Sequence, residues 1–184
     1  MPRRLVPLAL VVSLALACFA CDSDTAAPEV PDNEFCADVA TWDDEASAYE
    51  REVLERVNLI REAGASCNGV PFEPAPALVM DDALRCAARV HALDMATRDY
   101  VAHVSPDEVT YEQRASSAGY AGTALAQNIA SGMVEPRDLV EAWMGVESSC
   151  MRLLLPTATD LGVGYVESDE ATFGTYWVAV LGEG

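Results

Sequence analysis

The chain has 184 residues, and its 30 acidic residues outnumber its 11 basic residues, so the formal net charge is −19 at pH 7. A nucleic-acid-binding protein needs a basic surface to neutralise phosphates, so we expect no nucleic-acid partner. The same charge excludes strong attraction to anionic lipid headgroups. The length suits an N-terminal targeting segment followed by one compact domain.

The first 21 residues have the layout of an export signal. Arg3 and Arg4 precede the apolar run LVPLALVVSLALACFAC, which is too short for a stable membrane span. Cys18 and Cys21 close this run, each directly after an alanine, as in bacterial lipoproteins whose new N-terminal cysteine carries the lipid. An acidic segment begins directly after Cys21, which favours Cys21 as the lipidated residue. Plain cleavage and secretion is the alternative.

Residues 22–42 are predicted to form an acidic flexible tether. The stretch DSDTAAPEVPDNE is rich in carboxylates, contains two prolines and has almost no bulky apolar residue. Such a segment does not bury enough surface to offset the entropy of ordering it. We therefore expect the folded domain to span residues 43–184.

Four cysteines lie beyond the signal: Cys36, Cys67, Cys86 and Cys150. An exported chain meets an oxidising compartment, where two disulfides are the expected state. Three pairings are possible, and the sequence does not choose among them. A zinc site is the alternative, but the spacing contains no CxxC knuckle, which argues against it.

Two amphipathic helices are predicted in the first half of the domain. Apolar residues recur at steps of three and four from Asp43 to Ala63, and Gly64 ends that pattern. A second helix begins near Asp81, whose carboxylate suits a helix N-terminus. Its apolar stripe includes His91, so we interpret His91 as a core histidine with a hydrogen bond rather than as a metal ligand.

The second half of the domain predicts a third helix and a hairpin. The helix opens at Glu135 and Pro136 and carries Trp143 on its apolar side. The segments LGVGYVES and TYWVAVLGE alternate or run apolar on either side of SDEATFG, a pattern typical of a β-hairpin. Helices around a small, mostly antiparallel sheet make an α+β domain.

Several motifs in a fixed order resemble one known family. These are EVLERVNLIREAGA, LRCAARVHALDMA, YVAHVSPDE, AGY, AQNIASG, VEAWMGVESSC, LGVGY and the closing YWVAVLG. Together they cover about residues 46–184 and resemble the CAP superfamily of cysteine-rich secretory, antigen 5 and pathogenesis-related 1 proteins, in its bacterial SCP-like branch. The resemblance implies a three-layer α-β-α sandwich with a large open groove.

In many members of this family, the groove holds a divalent metal between two histidines and one or two glutamates. The resemblance places one of those histidines at His103. The usual glutamate position is Gln127 here, the second histidine position is Ser149, and a further glutamate position is Val146. A neutral amide and a hydroxyl are poor zinc ligands, so we expect no metal and no other cofactor. His103, Gln127 and Ser149 are then predicted to form a hydrogen-bonded polar patch.

The functional expectation is an exported, non-catalytic binding module in the bacterial envelope or outside the cell. The resemblance suggests a lipid, sterol or glycan as ligand. We expect a monomer that meets the membrane only through a lipid anchor. The alternative is a hydrolase or protease that uses His103 with Ser149 or a recruited metal, because Asp107, Glu108 and Glu147 lie close in sequence to that pair. No nucleophile-elbow pattern surrounds Ser149.

Overall fold

The computed structural model describes residues 29–184. The predicted export signal (1–21), the lipidation candidate Cys21 and residues 22–28 of the predicted tether lie outside the described residues. Among the helices of residues 29–184, none is both long and apolar enough to cross a membrane. The elements, in chain order, are a 3-10 helix (Glu34–Val39), α1 (Asp44–Ala63), β1 (Ala65–Cys67), β2 (Val70–Phe72), β3 (Val79–Met80), α2 (Asp82–Arg98), α3 (Tyr111–Ala118), β4 (Thr123–Ser131), α4 (Pro136–Gly145), α5 (Glu147–Leu153), β5 (Asp160–Glu167) and β6 (Thr175–Glu183).

The main sheet has four strands in the order β3-β5-β6-β4. β5 and β6 form the predicted C-terminal hairpin, in which Asp160 pairs with Gly182 and Glu167 with Thr175. β4 pairs with the other edge of β6 in antiparallel orientation, whereas the two-residue strand β3 runs parallel to β5. The sheet is therefore mixed and mostly antiparallel, as predicted.

Alternation along β6 divides the core into two layers. Tyr176, Val178 and Val180 belong to one hydrophobic cluster, which they share with α2 and α3. Trp177, Ala179 and Leu181 belong to the other, which they share with α1 and α4. Because successive side chains of a strand point to opposite faces, β6 is buried on both sides. The three-layer α-β-α sandwich predicted for this α+β chain is confirmed.

Helix α2 approaches β5 closely at two glycines. A Cβ added at Gly162 would lie 2.0 Å from the carbonyl carbon of Leu84, and one at Gly164 would lie 2.5 Å from that of Ala88. No side chain fits at either glycine, because backbone atoms of α2 occupy the space. The two glycines thus set the distance between α2 and the sheet.

The predicted helix ends are formed by side-chain and glycine caps. Asp43 accepts hydrogen bonds from the amides of Glu45 and Ala46, and Asp81 accepts one from Leu84. Gly64 ends α1 with φ of 70°, a backbone region that suits glycine. The separate seven-residue helix α5 was not predicted, because about two turns are too short to show a helical period.

The prediction of a flexible tether up to residue 42 was wrong for residues 29–42. Val30 and Val39 are almost completely buried, and Cys36 forms a disulfide with Cys86 of α2. The Glu29 carboxylate also lies 2.7 Å from the guanidinium of Arg89. A covalent link and a partly buried ion pair thus order a segment whose composition offers few apolar contacts.

The four cysteines of residues 29–184 form disulfides, which confirms the prediction of two bridges. Cys36 pairs with Cys86 at an S–S distance of 2.00 Å, and Cys67 pairs with Cys150 at 1.96 Å. The second bridge ties the β1–β2 hairpin to α5 across 83 residues of chain. The zinc alternative for these cysteines is therefore wrong.

Candidate functional site

The candidate site contains His103, which is exposed in the loop between α2 and α3. A turn holds this loop: the Ser105 amide donates to the Val109 carbonyl oxygen at 3.1 Å, and the Val109 amide donates to Ser105 Oγ at 3.2 Å. Arg98 at the end of α2 donates to the Asp107 carboxylate at 2.6 Å. The loop therefore presents His103 from a fixed backbone.

The Gln127 side chain, buried on β4, contacts His103 directly. We orient its amide with the oxygen toward Arg114, because a guanidinium only donates hydrogen bonds. Gln127 Nε2 then donates to His103 Nδ1 at 3.0 Å and to the His103 carbonyl oxygen at 3.3 Å, and Oε1 accepts from Arg114 at 3.1 Å. His103 Nδ1 accepts a hydrogen bond in this arrangement, so the imidazole carries its proton on Nε2.

Arg114, which sequence reasoning missed, lies beneath this pair. The residue is 3% exposed, and its guanidinium donates to the carbonyl oxygens of Val109 (2.7 Å) and His103 (2.9 Å). Burial lowers the pKa of Arg114 to about 10, so the side chain remains charged near neutral pH. The sequence carried one signal for this role. Arg114 lies among the small apolar residues of α3 that are buried, and a buried arginine needs hydrogen-bond partners.

Ser149 contacts β4 through its backbone and, within residues 29–184, makes no hydrogen bond to His103 or Gln127. Its carbonyl oxygen accepts a hydrogen bond from Asn128 Nδ2 at 3.0 Å, and Asn128 follows Gln127 on β4. Arg152 also donates to Asn128 Oδ1, at 3.4 Å. Within residues 29–184, no hydrogen bond connects the Ser149 hydroxyl to His103, so the structure joins His103 to Gln127 and leaves Ser149 outside the pair.

The acidic residues considered for a catalytic triad are engaged elsewhere or exposed. Asp107 pairs with Arg98, and Glu147 accepts a hydrogen bond from Asn68 at 3.0 Å. Glu108 lies in the turn after His103 with a φ of 62°. In the described part of the chain, the ring nitrogen of His103 that faces the protein contacts a neutral amide instead of a carboxylate. This arrangement does not activate a nucleophile.

The metal that the family groove can hold does not fit these residues. The only ligand oxygen that Gln127 offers is taken by Arg114, and a buried guanidinium disfavours a second cation next to it. Among residues 29–184, no group of three or more histidine, cysteine or carboxylate side chains could hold a metal ion. One imidazole alone is too small a ligand set for zinc.

His91 is a core residue, as predicted. Its side chain is fully buried on α2, and Nε2 donates to the Ala102 carbonyl oxygen at 2.8 Å. Burial, reinforced by the charge of Arg114, lowers the pKa of His91 to about 4, so the imidazole is neutral at physiological pH. His91 thereby fixes the backbone directly before His103.

Comparison with protein families gives one match along most of the domain. The model of the cysteine-rich secretory protein family, CAP, matches residues 54–181. This range runs from the middle of α1 to β6 and includes the His103–Gln127 pair.

Individual relatives agree with this match. The Bacillus subtilis protein YkwD is 34% identical over 131 residues, which are 71% of this chain and 46% of YkwD. The chain thus spans less than half the length of that relative. Among solved structures, an outer surface protein of Borrelia burgdorferi superposes with a TM-score of 0.63 at 17% identity, covering 75% of this chain and 94% of that one. An extracellular SCP-domain protein of Bacillus anthracis gives 0.63 at 21% identity, covering 76% and 41%.

Proposed function

Because the chain belongs to the cysteine-rich secretory protein family, CAP, we propose that it is an exported, non-catalytic binding module whose His103–Gln127 site takes a neutral ligand. The observation that carries this proposal is the neutral hydrogen bond from the Gln127 amide to the imidazole, made above a buried guanidinium. A site of this kind offers hydrogen bonds without the ligand set of a metal centre or an activated nucleophile.

The surroundings of His103 favour an amphiphilic ligand. Val101 and Val104 are exposed beside His103. Exposed apolar side chains next to a hydrogen-bond donor suit a molecule with an apolar body and a hydroxyl. Sterols and neutral lipids have this chemistry, and a glycan with an apolar ring face is the third candidate.

The location proposed for this module is outside the cytoplasm. Two disulfides suit an oxidising compartment, and the similar Borrelia and Bacillus anthracis proteins are an outer surface protein and an extracellular protein. Within that location, we assign the membrane anchor to a lipid on Cys21. Expression in a bacterial host tests the anchor: the chain is expected in the detergent phase of a Triton X-114 extraction, and Cys21→Ser is expected in the aqueous phase.

Binding to an immobilised panel of sterols, neutral lipids and glycans tests the function. We expect one ligand class to bind, and His103→Ala and Val104→Ser to weaken it. Leu59→Ser is the matched control, because Leu59 is 67% exposed on α1 and lies outside the site. Binding that survives His103→Ala, or a hydrolytic activity that His103→Ala and Ser149→Ala both abolish, would overturn the proposal.

A further inference from the structure

A cavity lies at the junction of the N-terminal segment, α1, α2 and the end of β5. Its volume is about 480 Å³, within the range of about 300–1,000 Å³ that is typical of small-molecule sites. It shares no residue with the His103–Gln127 site. Its walls are formed by Trp42, Asp43, Glu45, Ala46, Tyr49, Leu93, Val134, Tyr165, Val166 and Glu167. We call it the Trp42–Tyr165 cavity.

The charged residues in this wall are all acidic. Asp43, Glu45 and Glu167 contribute carboxylates, and the wall contains no arginine, lysine or histidine among residues 29–184. The nearby arginines do not offset this charge, because Arg85 and Arg89 are both paired with the carboxylates of Glu29 and Glu50. The cavity is therefore a region of negative potential.

Aromatic rings form the other part of the wall. The ring centroids of Tyr49 and Tyr165 are 5.6 Å apart, and Tyr165 in turn packs on the buried Trp177 with centroids 4.2 Å apart. The guanidinium of Arg89 lies 4.9 Å from the centre of the Trp42 ring, so one wall residue already makes a cation–π contact. Rings held against a rigid core lose little entropy when a ligand binds them.

Two wall residues carry buried polar atoms that have no hydrogen-bond partner within residues 29–184. These are the hydroxyl of Tyr165, a residue that is 4% exposed, and Nε1 of Trp42. Burial, reinforced by the charge of Glu167, raises the pKa of Tyr165, so its hydroxyl remains protonated. A buried hydrogen-bond donor without an acceptor destabilises the fold. A ligand oxygen in the cavity that accepts this hydrogen bond would remove the destabilisation.

We propose that the Trp42–Tyr165 cavity binds a small organic cation, an alkylated ammonium group with a neighbouring oxygen. The aromatic faces attract the cationic head, the carboxylates of Glu45 and Glu167 neutralise it, and the oxygen accepts from the unpartnered donors. The proposal does not rest on the function proposed for the His103–Gln127 site, because the two sites have no wall residue in common.

Calorimetric titration of the full chain with choline tests this inference. Choline carries a quaternary ammonium group and one hydroxyl, and 3,3-dimethylbutan-1-ol has the same shape and hydroxyl without the charge. We expect choline to bind and the neutral alcohol to bind about tenfold more weakly or not at all, since cation–π and carboxylate contacts both require the charge. Equal binding of the two molecules would overturn the proposal.

A pair of double variants assigns binding to this cavity. Glu45→Gln with Glu167→Gln removes two exposed carboxylates and is expected to weaken choline binding about tenfold. Glu55→Gln with Glu62→Gln removes the same charge from another part of α1 and is expected to leave the affinity unchanged. Thermal unfolding of wild type and both double variants checks that all three proteins fold. Equal weakening in both double variants would show a general charge effect and contradict the assignment.

The ammonium group has two possible sources, a free solute and the headgroup of a choline lipid. Cosedimentation of the unlipidated chain with phosphatidylcholine vesicles distinguishes them. If the chain binds the vesicles and the Glu45→Gln with Glu167→Gln variant binds them more weakly, the ligand is the lipid headgroup. If the chain binds free choline alone, the ligand is the free solute. Absence of both kinds of binding would overturn the inference.

Discussion

The buried guanidinium of Arg114 holds the amide oxygen of Gln127 at 3.1 Å and turns the amide nitrogen toward the imidazole of His103. Gln127, which occupies the position where the family usually has a glutamate, thus forms a hydrogen-bonded unit with Arg114. The amide can satisfy a donor and an acceptor at once, which a carboxylate cannot. This relationship underlies the first two predictions.

Zinc is expected not to bind at His103. In a calorimetric titration of the protein with zinc, wild type and His103→Ala should give the same heats, because Gln127 Oε1 is engaged and no third ligand is present in residues 29–184. Micromolar zinc binding that disappears in His103→Ala would contradict this expectation.

Replacing Arg114 with methionine is expected to lower the free energy of unfolding by about 3 kcal/mol. The change leaves the carbonyl oxygens of Val109 and His103 and the amide of Gln127 without their donor, and charged hydrogen bonds contribute about 1.5–3 kcal/mol each. Denaturant unfolding of wild type and Arg114→Met measures this loss of stability. Arg56→Met is the control, since Arg56 makes a partly exposed pair with Glu52 and should change stability by less than about 1 kcal/mol. Equal effects of both changes would refute the structural role of Arg114.

Gly164→Ala is expected to destabilise the fold by about 3 kcal/mol or more, because the added Cβ would lie 2.5 Å from the backbone of Ala88 and force α2 away from the sheet. Gly145→Ala, at the end of α4, meets no atom within 4 Å and should be neutral or slightly stabilising. Thermal unfolding of the two variants compares them. A Gly164→Ala variant as stable as wild type would show that the helix–sheet spacing is not set there.

The disulfide pairing predicts a specific peptide map. Digestion without reduction should yield the linked pairs Cys36–Cys86 and Cys67–Cys150. Changing Cys67 and Cys150 together to serine should lower the free energy of unfolding by about 4 kcal/mol, since the bridge closes a long loop of the unfolded chain. A map with any other pairing would show that the fold around the β1–β2 hairpin is different.

Acid is expected to weaken the attachment of the N-terminal segment through Glu29. Burial by itself raises the pKa of Glu29, but hydrogen bonds from Ser47 and Arg89 and the charges of Arg85 and Arg89 outweigh it and lower the pKa to about 2. A depressed carboxyl pKa stabilises the fold above the ordinary value of 4.5, and this stabilisation is lost as the pH falls from about 4.5 to 2.

Denaturant unfolding as a function of pH measures this effect. Glu29→Gln should be less stable than wild type at pH 7, and the difference should shrink toward pH 2. Glu34→Gln, a change of an exposed carboxylate in the neighbouring 3-10 helix, should leave the pH dependence as it is in wild type. A constant difference between Glu29→Gln and wild type at all pH values would contradict the ion-pair assignment.

Local patterns in the sequence determined the long helices, the C-terminal hairpin and the family. The period of α1, the cap at Asp81 and the alternation of β6 are set by residues a few positions apart, so they are readable without a fold. The identities of Gln127 and Ser149 also led to the expectation that no metal binds, which the zinc titration tests. His91 was correctly interpreted from its place on an apolar stripe alone.

Only the tertiary structure decided which distant residues meet. It paired Cys67 with Cys150, placed Arg114 beneath His103, left the Ser149 hydroxyl outside the patch and ordered residues 29–42. These outcomes depend on contacts between segments that are far apart along the chain, and composition or periodicity records no such contact. Arg114 shows the reason most clearly. It donates to backbone carbonyl oxygens, which every residue has, so no sequence pattern identifies these partners.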